Sequence, residues 1–182
     1  MIMATYSTQN GMLLENLMTF YKKDNNMNSM LNIINGQSSI SLRIVDWFVT
    51  NYAKKYFTIY SLNGQRFKVY NDYKNKLRAY SKKRFDPFCR WDRISIPFTN
   101  NTFIQTTIGQ LNFFKWAIEN NVIKYINDNY DTIEKDMNTR NSASNREPLN
   151  ESTKTRKKRE ELSISASKSI KKEDIEIVLT FD

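Results

Sequence analysis

The chain has 182 residues, of which 40% are hydrophobic and 13% aromatic, and this is enough to build one domain with a core. It contains no histidine, one cysteine and four glycines, which excludes a Ser/His/Asp or Cys/His catalytic centre, a histidine or cysteine zinc site, an internal disulfide and a glycine-rich phosphate loop. The net charge of +9 favours polyanions as partners, and the mean hydropathy of −0.65 argues against a membrane protein.

The first part of the chain carries one weak and one strong helix signal. Residues 1–38 are expected to be partly disordered, with a short helix over residues 12–22. From Ser39 onward, apolar residues recur at alternating spacings of three and four, which predicts a core helix capped by Ser39 or Ser41. Its buried stripe consists of Leu42, Val45, Val49, Tyr52 and Tyr56. Residues 56–62 then form a predicted strand, which ends at the two-residue turn Asn63-Gly64.

Two more helices and a strand are predicted between this turn and residue 137. The second helix runs from Phe67 to about Arg84, and Asp86-Pro87 ends it. A short edge strand follows over residues 93–98. The spacing of Thr107 and Gln110 matches a capping box and predicts that a third helix starts there. That helix extends towards Met137, with a break near residues 120–121.

The last 45 residues change in composition. Residues 138–173 are polar and basic and are expected to be a flexible linker, because they contain too few apolar side chains to build a core. Apolar and polar residues alternate over positions 174–182, and this pattern predicts a C-terminal strand. The strand would pair either with the domain's own sheet or with another protein. The apolar face of this strand, a predicted partner-binding surface, comprises Ile175, Ile177, Leu179 and Phe181. The predicted fold class is α+β: a compact domain over residues 39–137, with three helices around a short antiparallel sheet.

The strongest functional signal lies in residues 66–93, which carry ten basic residues and three acidic ones, a net charge of +7. The basic residues are Arg66, Lys68, Lys74, Lys76, Arg78, Lys82, Lys83, Arg84, Arg90 and Arg93. On the predicted helix, Lys68, Asn71, Asn75, Arg78 and Lys82 recur at helical spacing, and such a face can neutralise phosphates. Tyr73, Tyr80 and Trp91 are interleaved with the cations and would stack on unpaired bases if exposed. A core role for the aromatic residues and a solvated basic surface would explain the same pattern.

Three weaker patterns have ordinary structural explanations. A basic run at residues 154–159 matches a nuclear-localisation or phosphate-contact patch, but a solvated linker accounts for it better. Asp86 and Asp92 could serve a carboxylate-dependent nuclease, although ion pairs with neighbouring arginines explain them equally well. Cys89 lacks a histidine base and is interpreted as a structural thiol. We therefore predict no catalytic residue, no metal ligand and no cofactor.

Several segments together resemble a family of uncharacterised small proteins encoded by giant viruses, the nucleocytoplasmic large DNA viruses. The segments are 45–55 (VDWFVTNYAKK), 80–90 (YSKKRFDPFCR), 110–120 (QLNFFKWAIEN) and the tail 163–182. The resemblance covers about residues 39–137 and the tail. It implies a viral setting, but no residue roles can be carried over from it.

The sequence thus leads to one main functional hypothesis and two alternatives. The main hypothesis is a non-catalytic structural or interaction protein of the virion or of the viral factory in the host cytoplasm. It would contact nucleic acid through the basic-aromatic surface and other viral proteins through its C-terminal strand, with no membrane partner. The first alternative is a dedicated DNA- or RNA-binding regulator of viral transcription or replication, for which the host nucleus is also a plausible location. The second is the nuclease.

Overall fold

The computed structural model describes residues 9–23, 25–89, 93–98, 102–144 and 171–174. Helices α1 (Gln9–Tyr21), α2 (Asn26–Ile34) and α3 (Leu42–Trp47) come first, followed by a π-helical segment (Phe48–Tyr52) and α4 (Ala53–Lys55). A hairpin of β1 (Ile59–Leu62) and β2 (Gln65–Lys68) leads into α5 (Val69–Phe85). Strands β3 (Arg93–Pro97) and β4 (Thr102–Thr107) precede α6 (Ile108–Glu119), α7 (Val122–Asp128), α8 (Tyr130–Ser144) and β5 (Lys171–Asp174). The fold is α+β, as predicted.

The N-terminal helices belong to the same core as the rest of the domain. Leu17 of α1 and Met30 of α2 are completely buried. The Tyr21 hydroxyl donates a hydrogen bond of 2.6 Å to the carbonyl oxygen of Leu111 in α6, and burial raises the pKa of that hydroxyl. The core therefore extends to the N-terminal side of residue 39, where the apolar periodicity predicts that the compact domain starts.

The first predicted core helix contains a π turn. Ser41 caps it, because its hydroxyl oxygen accepts a hydrogen bond from the backbone N–H of Ile44. Phe48–Tyr52 are π-helical, and the extra residue in such a turn rotates later positions by about 100° relative to an α-helix. Tyr56, predicted to lie on the buried stripe, is consequently 50% exposed just beyond the last turn.

The Asn63-Gly64 turn forms the predicted hairpin loop. Both residues have positive φ angles, 50° and 79°, as a type I′ turn requires. The strand before it is shorter than predicted, and β2 includes Phe67, which we expected to open a helix. The helix begins two residues later at Val69, because Phe67 pairs with Tyr60 in the hairpin and packs against it with ring centroids 5.4 Å apart.

The third predicted helix is divided into α6, α7 and α8. Thr107 caps α6 as predicted, with its hydroxyl 3.1 Å from the backbone nitrogen of Gln110. Asn121, in the left-handed conformation, interrupts the helix at the expected place, and a second interruption occurs at Asn129. Helix α8 continues to Ser144, so the polar region assigned to a linker from residue 138 begins as helix.

The second sheet has the order β3-β4-β5 and is antiparallel throughout. Strand β3 lies at its edge, as predicted. Strand β5 pairs with β4 in the same chain, with Asp174 opposite Thr102, so residues 171–173 are strand where we expected linker. The predicted apolar face of the tail, Ile175, Ile177, Leu179 and Phe181, lies outside the described residues.

Candidate nucleic-acid interface

Helix α5 presents one exposed face that is basic and rich in amides. Asn71, Asn75 and Arg78 of the helix are exposed, as is Lys68, the last residue of β2 and the N-cap of α5, and we call these four residues the α5 basic face. Tyr73 lies on the opposite, buried side of the helix. At 1.5 Å per residue the helical part of the face, from Asn71 to Arg78, is about 11 Å long. In the part of the chain that the structure describes, Lys68 and Arg78 make no ion pair, so their charges remain available to solvent and ligands.

A kink at Ser81 interrupts the predicted continuation of this face. Ser81 has φ 64° and ψ 166°, which are not helical angles. The helical spacing that was expected to align Lys82 with Arg78 therefore does not hold, although Lys82 and Lys83 are both exposed. Arg84 is directed elsewhere, because its Nη1 donates a hydrogen bond of 3.1 Å to the side-chain oxygen of Gln9 in α1.

The short turn after the kink docks on the start of α6. The side-chain amide of Asn112 donates to the backbone oxygen of Arg84 at 2.9 Å. A Cβ atom at Gly109 would lie 2.9 Å from the carbonyl oxygen of Asp86 and 3.0 Å from that of Lys83. Glycine at residue 109 thus allows the backbones of α5 and α6 to come this close.

The other predicted cations do not gather into a single surface. Arg66 on β2 and Arg93 on β3 are exposed, whereas Lys74 and Lys76 are half-buried. Lys76 lines a polar cleft of about 230 Å³ between α5 and α6. Arg90 lies outside the described residues. The cations of the basic segment therefore lie in several separate places, and the α5 basic face carries two of them, Lys68 and Arg78.

The predicted stacking role is wrong for Tyr73. This side chain is 6% exposed, with its ring centroid 5.9 Å from that of Phe85 and 5.8 Å from that of Trp116. It belongs to the core because it lies one helical turn after buried Val69. Tyr80 is half-buried and stacks on Phe85 at 6.0 Å, and Trp91 lies outside the described residues.

An exposed aromatic corner, which the sequence analysis missed, lies beside the α5 basic face. Phe57 is 82% exposed and Ile59 48% exposed. Together with Tyr70 they line an open, apolar groove of about 270 Å³. Lys54, Lys68 and Asn71 also line this groove, and the Lys54 ammonium lies 5.8 Å from the centroid of the Tyr70 ring. The strand prediction for residues 56–62 concealed the corner, since no sequence pattern indicated a left-handed residue at Phe57.

A carboxylate network holds this corner against α8. Asp136 Oδ2 accepts a hydrogen bond from Trp47 Nε1 at 3.1 Å, and Oδ1 accepts one from the Tyr56 hydroxyl at 3.0 Å. Lys55 and Arg140 contribute contacts of 3.3 and 3.2 Å. Burial alone would raise the pKa of Asp136, but hydrogen bonds from Trp47, Tyr56 and Lys55 and the charge of Arg140 outweigh it and lower that pKa.

Two of the acidic residues of the basic segment support the fold. Asp72 accepts a hydrogen bond of 2.6 Å from Trp116 Nε1, so its carboxylate lies towards α6. Asp86 accepts one of 2.9 Å from the backbone N–H of Phe88, which closes the turn after α5. Asp92 lies outside the described residues, and the nuclease hypothesis stays a prediction.

The described residues contain neither a cluster of metal ligands nor a membrane-spanning helix. No three His, Cys, Asp or Glu side chains in those ranges lie close enough together to hold a metal ion. No helix among them combines the length and the hydropathy needed to cross a bilayer.

Comparison with known proteins places the chain in a family. Residues 4–181 match DUF7197, a family of unknown function. The chain belongs to this family. A similar protein is Uncharacterized protein L507 of Acanthamoeba polyphaga mimivirus, 49% identical over an alignment that covers 60% of this chain and 46% of that protein. The chain thus spans about half the length of this curated relative, and no solved structure matches significantly. These matches confirm the resemblance to an uncharacterised giant-virus family.

Proposed function

We propose that this protein is a non-enzymatic giant-virus protein that binds nucleic acid through the α5 basic face. The observation that supports this most is that Asn71, Asn75 and Arg78 are exposed at helical spacing on α5, directly after the exposed Lys68 at the end of β2. Lysine and arginine neutralise phosphates, and asparagine amides donate hydrogen bonds to phosphate oxygens. The helix holds Asn71, Asn75 and Arg78 in a fixed spacing, and the pairing of β2 with β1 fixes the backbone of Lys68 next to them, which suits a regularly charged backbone.

The electrostatic surroundings favour an anionic ligand at this face. The carboxylate of Asp72 accepts a hydrogen bond from Trp116 and, among the described residues, makes no ion pair with Lys68 or Arg78. Lys54 of α4 adds a second cation to the groove that Lys68 lines. The overall charge of +9 adds long-range attraction for a polyanion.

The proposal is tested by measuring the affinity of a labelled oligonucleotide for the full chain as salt is varied. The variant K68E/R78E reverses two charges on the face. We expect it to bind much more weakly and to reduce the slope of log affinity against log salt by about 1.4 for a single strand, since each phosphate contact contributes about 0.7.

The matched control is K124E/K135E, which changes the net charge equally at exposed lysines of α7 and α8. We expect its affinity to stay close to that of the parent chain. Equal weakening by the two double variants would show that only net charge matters and would overturn the assignment to α5. If no oligonucleotide binds even at low salt, nucleic-acid binding itself is refuted.

The main hypothesis and its alternative differ in where the protein is found during infection. A structural role in the virion, which we favour, requires that the protein co-purify with mature particles. A regulator of transcription or replication would be found in the viral factory or the host nucleus and be absent from particles. Contact with other viral proteins through residues 174–182 belongs to the structural proposal, and deleting residues 175–182 should then abolish that contact while the domain stays folded.

A further inference from the structure

The side chain of Phe57 projects into solvent from a backbone that is fixed on both sides. The backbone N–H of Tyr56 bonds to the Tyr52 oxygen at 2.9 Å, and that of Thr58 bonds to the Ala53 oxygen at 3.2 Å. Thr58 is buried, and its carbonyl oxygen accepts a 3.3 Å hydrogen bond from Val69. Between these anchors Phe57 adopts φ 48°, a conformation rare for bulky residues. The aromatic ring is therefore held outside the core before any ligand arrives.

The groove beside this ring combines apolar walls with a polar, cationic rim. Phe57, Ile59 and Tyr70 provide the apolar surface, and Lys54, Lys68 and Asn71 the polar groups. Its volume of about 270 Å³ lies just below the range of roughly 300–1,000 Å³ typical of pockets for drug-sized ligands, so a smaller group fits it best. None of the described residues that line it is acidic.

The charge of the rim decides which occupant suits the groove. A second copy of this chain carries a net charge of +9 and would be repelled by Lys54 and Lys68, whereas an anionic ligand would be attracted. Lys68 belongs both to the groove and to the α5 basic face, so a ligand whose phosphates follow that face reaches the groove without a gap. A flat aromatic ring attached to a phosphate backbone matches both parts.

We propose that this groove stacks an unpaired base of a single strand of DNA or RNA against Phe57 while the adjoining phosphates lie on the α5 basic face. This inference rests on the proposed function and names its ligand class. Aromatic side chains bind bases of any sequence because every base has a π-face. A duplex keeps its bases stacked inside and offers none to the groove unless it is opened. The protein therefore prefers single strands to duplexes.

The test compares a single-stranded oligonucleotide with the matching duplex, using the full chain and the variant F57A. Removing a stacking aromatic costs about 1–3 kcal/mol per base, so F57A should bind the single strand about 5- to 140-fold more weakly. The salt slope should stay unchanged, because no cation is removed. Duplex affinity should also stay unchanged. F57W retains a ring and should keep most of the single-strand affinity.

The control variant is M12A, which truncates another exposed apolar side chain, 57% exposed, on α1. It should bind like the parent chain. Far-UV circular dichroism should show that F57A keeps its fold, since the ring is largely in solvent.

Two results would overturn the inference while leaving the proposed function intact. In the first, single strand and duplex bind equally and F57A has no effect, while K68E/R78E still weakens both. In the second, ultracentrifugation shows that the free chain dimerises and that F57A abolishes this, which would mean that a second copy covers the groove. A complete lack of oligonucleotide binding would instead refute the proposed function together with this inference.

Discussion

Replacing Asp136 should destabilise the domain more than replacing any exposed carboxylate. The side chain of Asp136 is 8% exposed, and it joins Trp47 of α3 and Tyr56 after α4 to Arg140 of α8. The contacts with Trp47 and Tyr56 span 89 and 80 positions of the chain, so they tie distant segments together, whereas Arg140 lies one helical turn away in α8 itself. The two informative variants are D136A, which removes every acceptor, and D136N, which keeps the shape and one acceptor oxygen.

The expected loss follows from the bonds that disappear. A hydrogen bond to a charged group contributes about 1.5–3 kcal/mol, and leaving a partly buried donor such as Trp47 Nε1 unpaired adds a desolvation penalty. Arg140 would also lose its buried counter-ion. We therefore expect D136A to lower the free energy of unfolding by about 2–4 kcal/mol, and D136N by about half as much. For a chain of this size the D136A loss corresponds to a melting temperature lower by about 4–16 °C.

The stabilisation has a defined pH dependence. The pKa of Asp136 is lower in the folded protein than its ordinary value of 3.8, so folding favours the ionised form. The contribution of this ionisation is complete above the unfolded-state pKa and is lost as the pH falls through the folded-state pKa. The difference in stability between parent and D136N should therefore be constant from pH 5 to 7 and shrink below about pH 4.

Urea denaturation followed by circular dichroism and tryptophan fluorescence measures both effects. The control is D128N, which alters an exposed carboxylate on α7. If D136A costs less than about 0.5 kcal/mol, the usual range for surface substitutions, or no more than D128N, the Asp136 network does not hold α8 to α3 and α4 as described.

Two further substitutions test the junction between α5 and α6. G109A should lower the free energy of unfolding by about 1–3 kcal/mol, because its Cβ atom would meet backbone oxygens of Asp86 and Lys83 that cannot move aside. Thermal denaturation measures this loss. An unchanged melting temperature would show that the backbones of α5 and α6 are not as close at residue 109 as described. S81G should instead raise stability by about 1 kcal/mol, since φ 64° and ψ 166° lie in a region that only glycine readily occupies, and a loss of stability would argue against the kink.

The features that sequence predicted well are those decided within a few residues. Ser41 and Thr107 cap their helices because a hydroxyl at that position reaches the N–H three residues later. The Asn63-Gly64 turn follows from the tolerance of both residues for positive φ. Asn121 breaks the long C-terminal helical run for the same reason. In each case the deciding interaction is local.

The features that sequence missed depend on contacts between distant segments. Helix α1 has a weak apolar pattern of its own, and it is held by partners such as Leu111, which lies 90 residues beyond Tyr21. The π-helical segment Phe48–Tyr52 follows no spacing that differs from an α-helix. It shifts Tyr56 out of the core. At this exposed position the Tyr56 hydroxyl donates a hydrogen bond to the carboxylate of Asp136.

Tyr73 and Phe57 show why the candidate binding surface could not be located from the sequence alone. Tyr73 lies among cations in the sequence, yet it follows Val69 by four residues and so shares the buried side of α5. Phe57 lies in a run that resembles a strand, but its left-handed backbone turns it outward. Neither the exposure of the Phe57 ring nor the left-handed backbone is favourable on its own. Both are maintained by the hydrogen bonds that fix the neighbouring residues Tyr56 and Thr58. Local preference and tertiary structure thus disagree at Phe57, which agrees with the base-stacking role that we propose for this side chain.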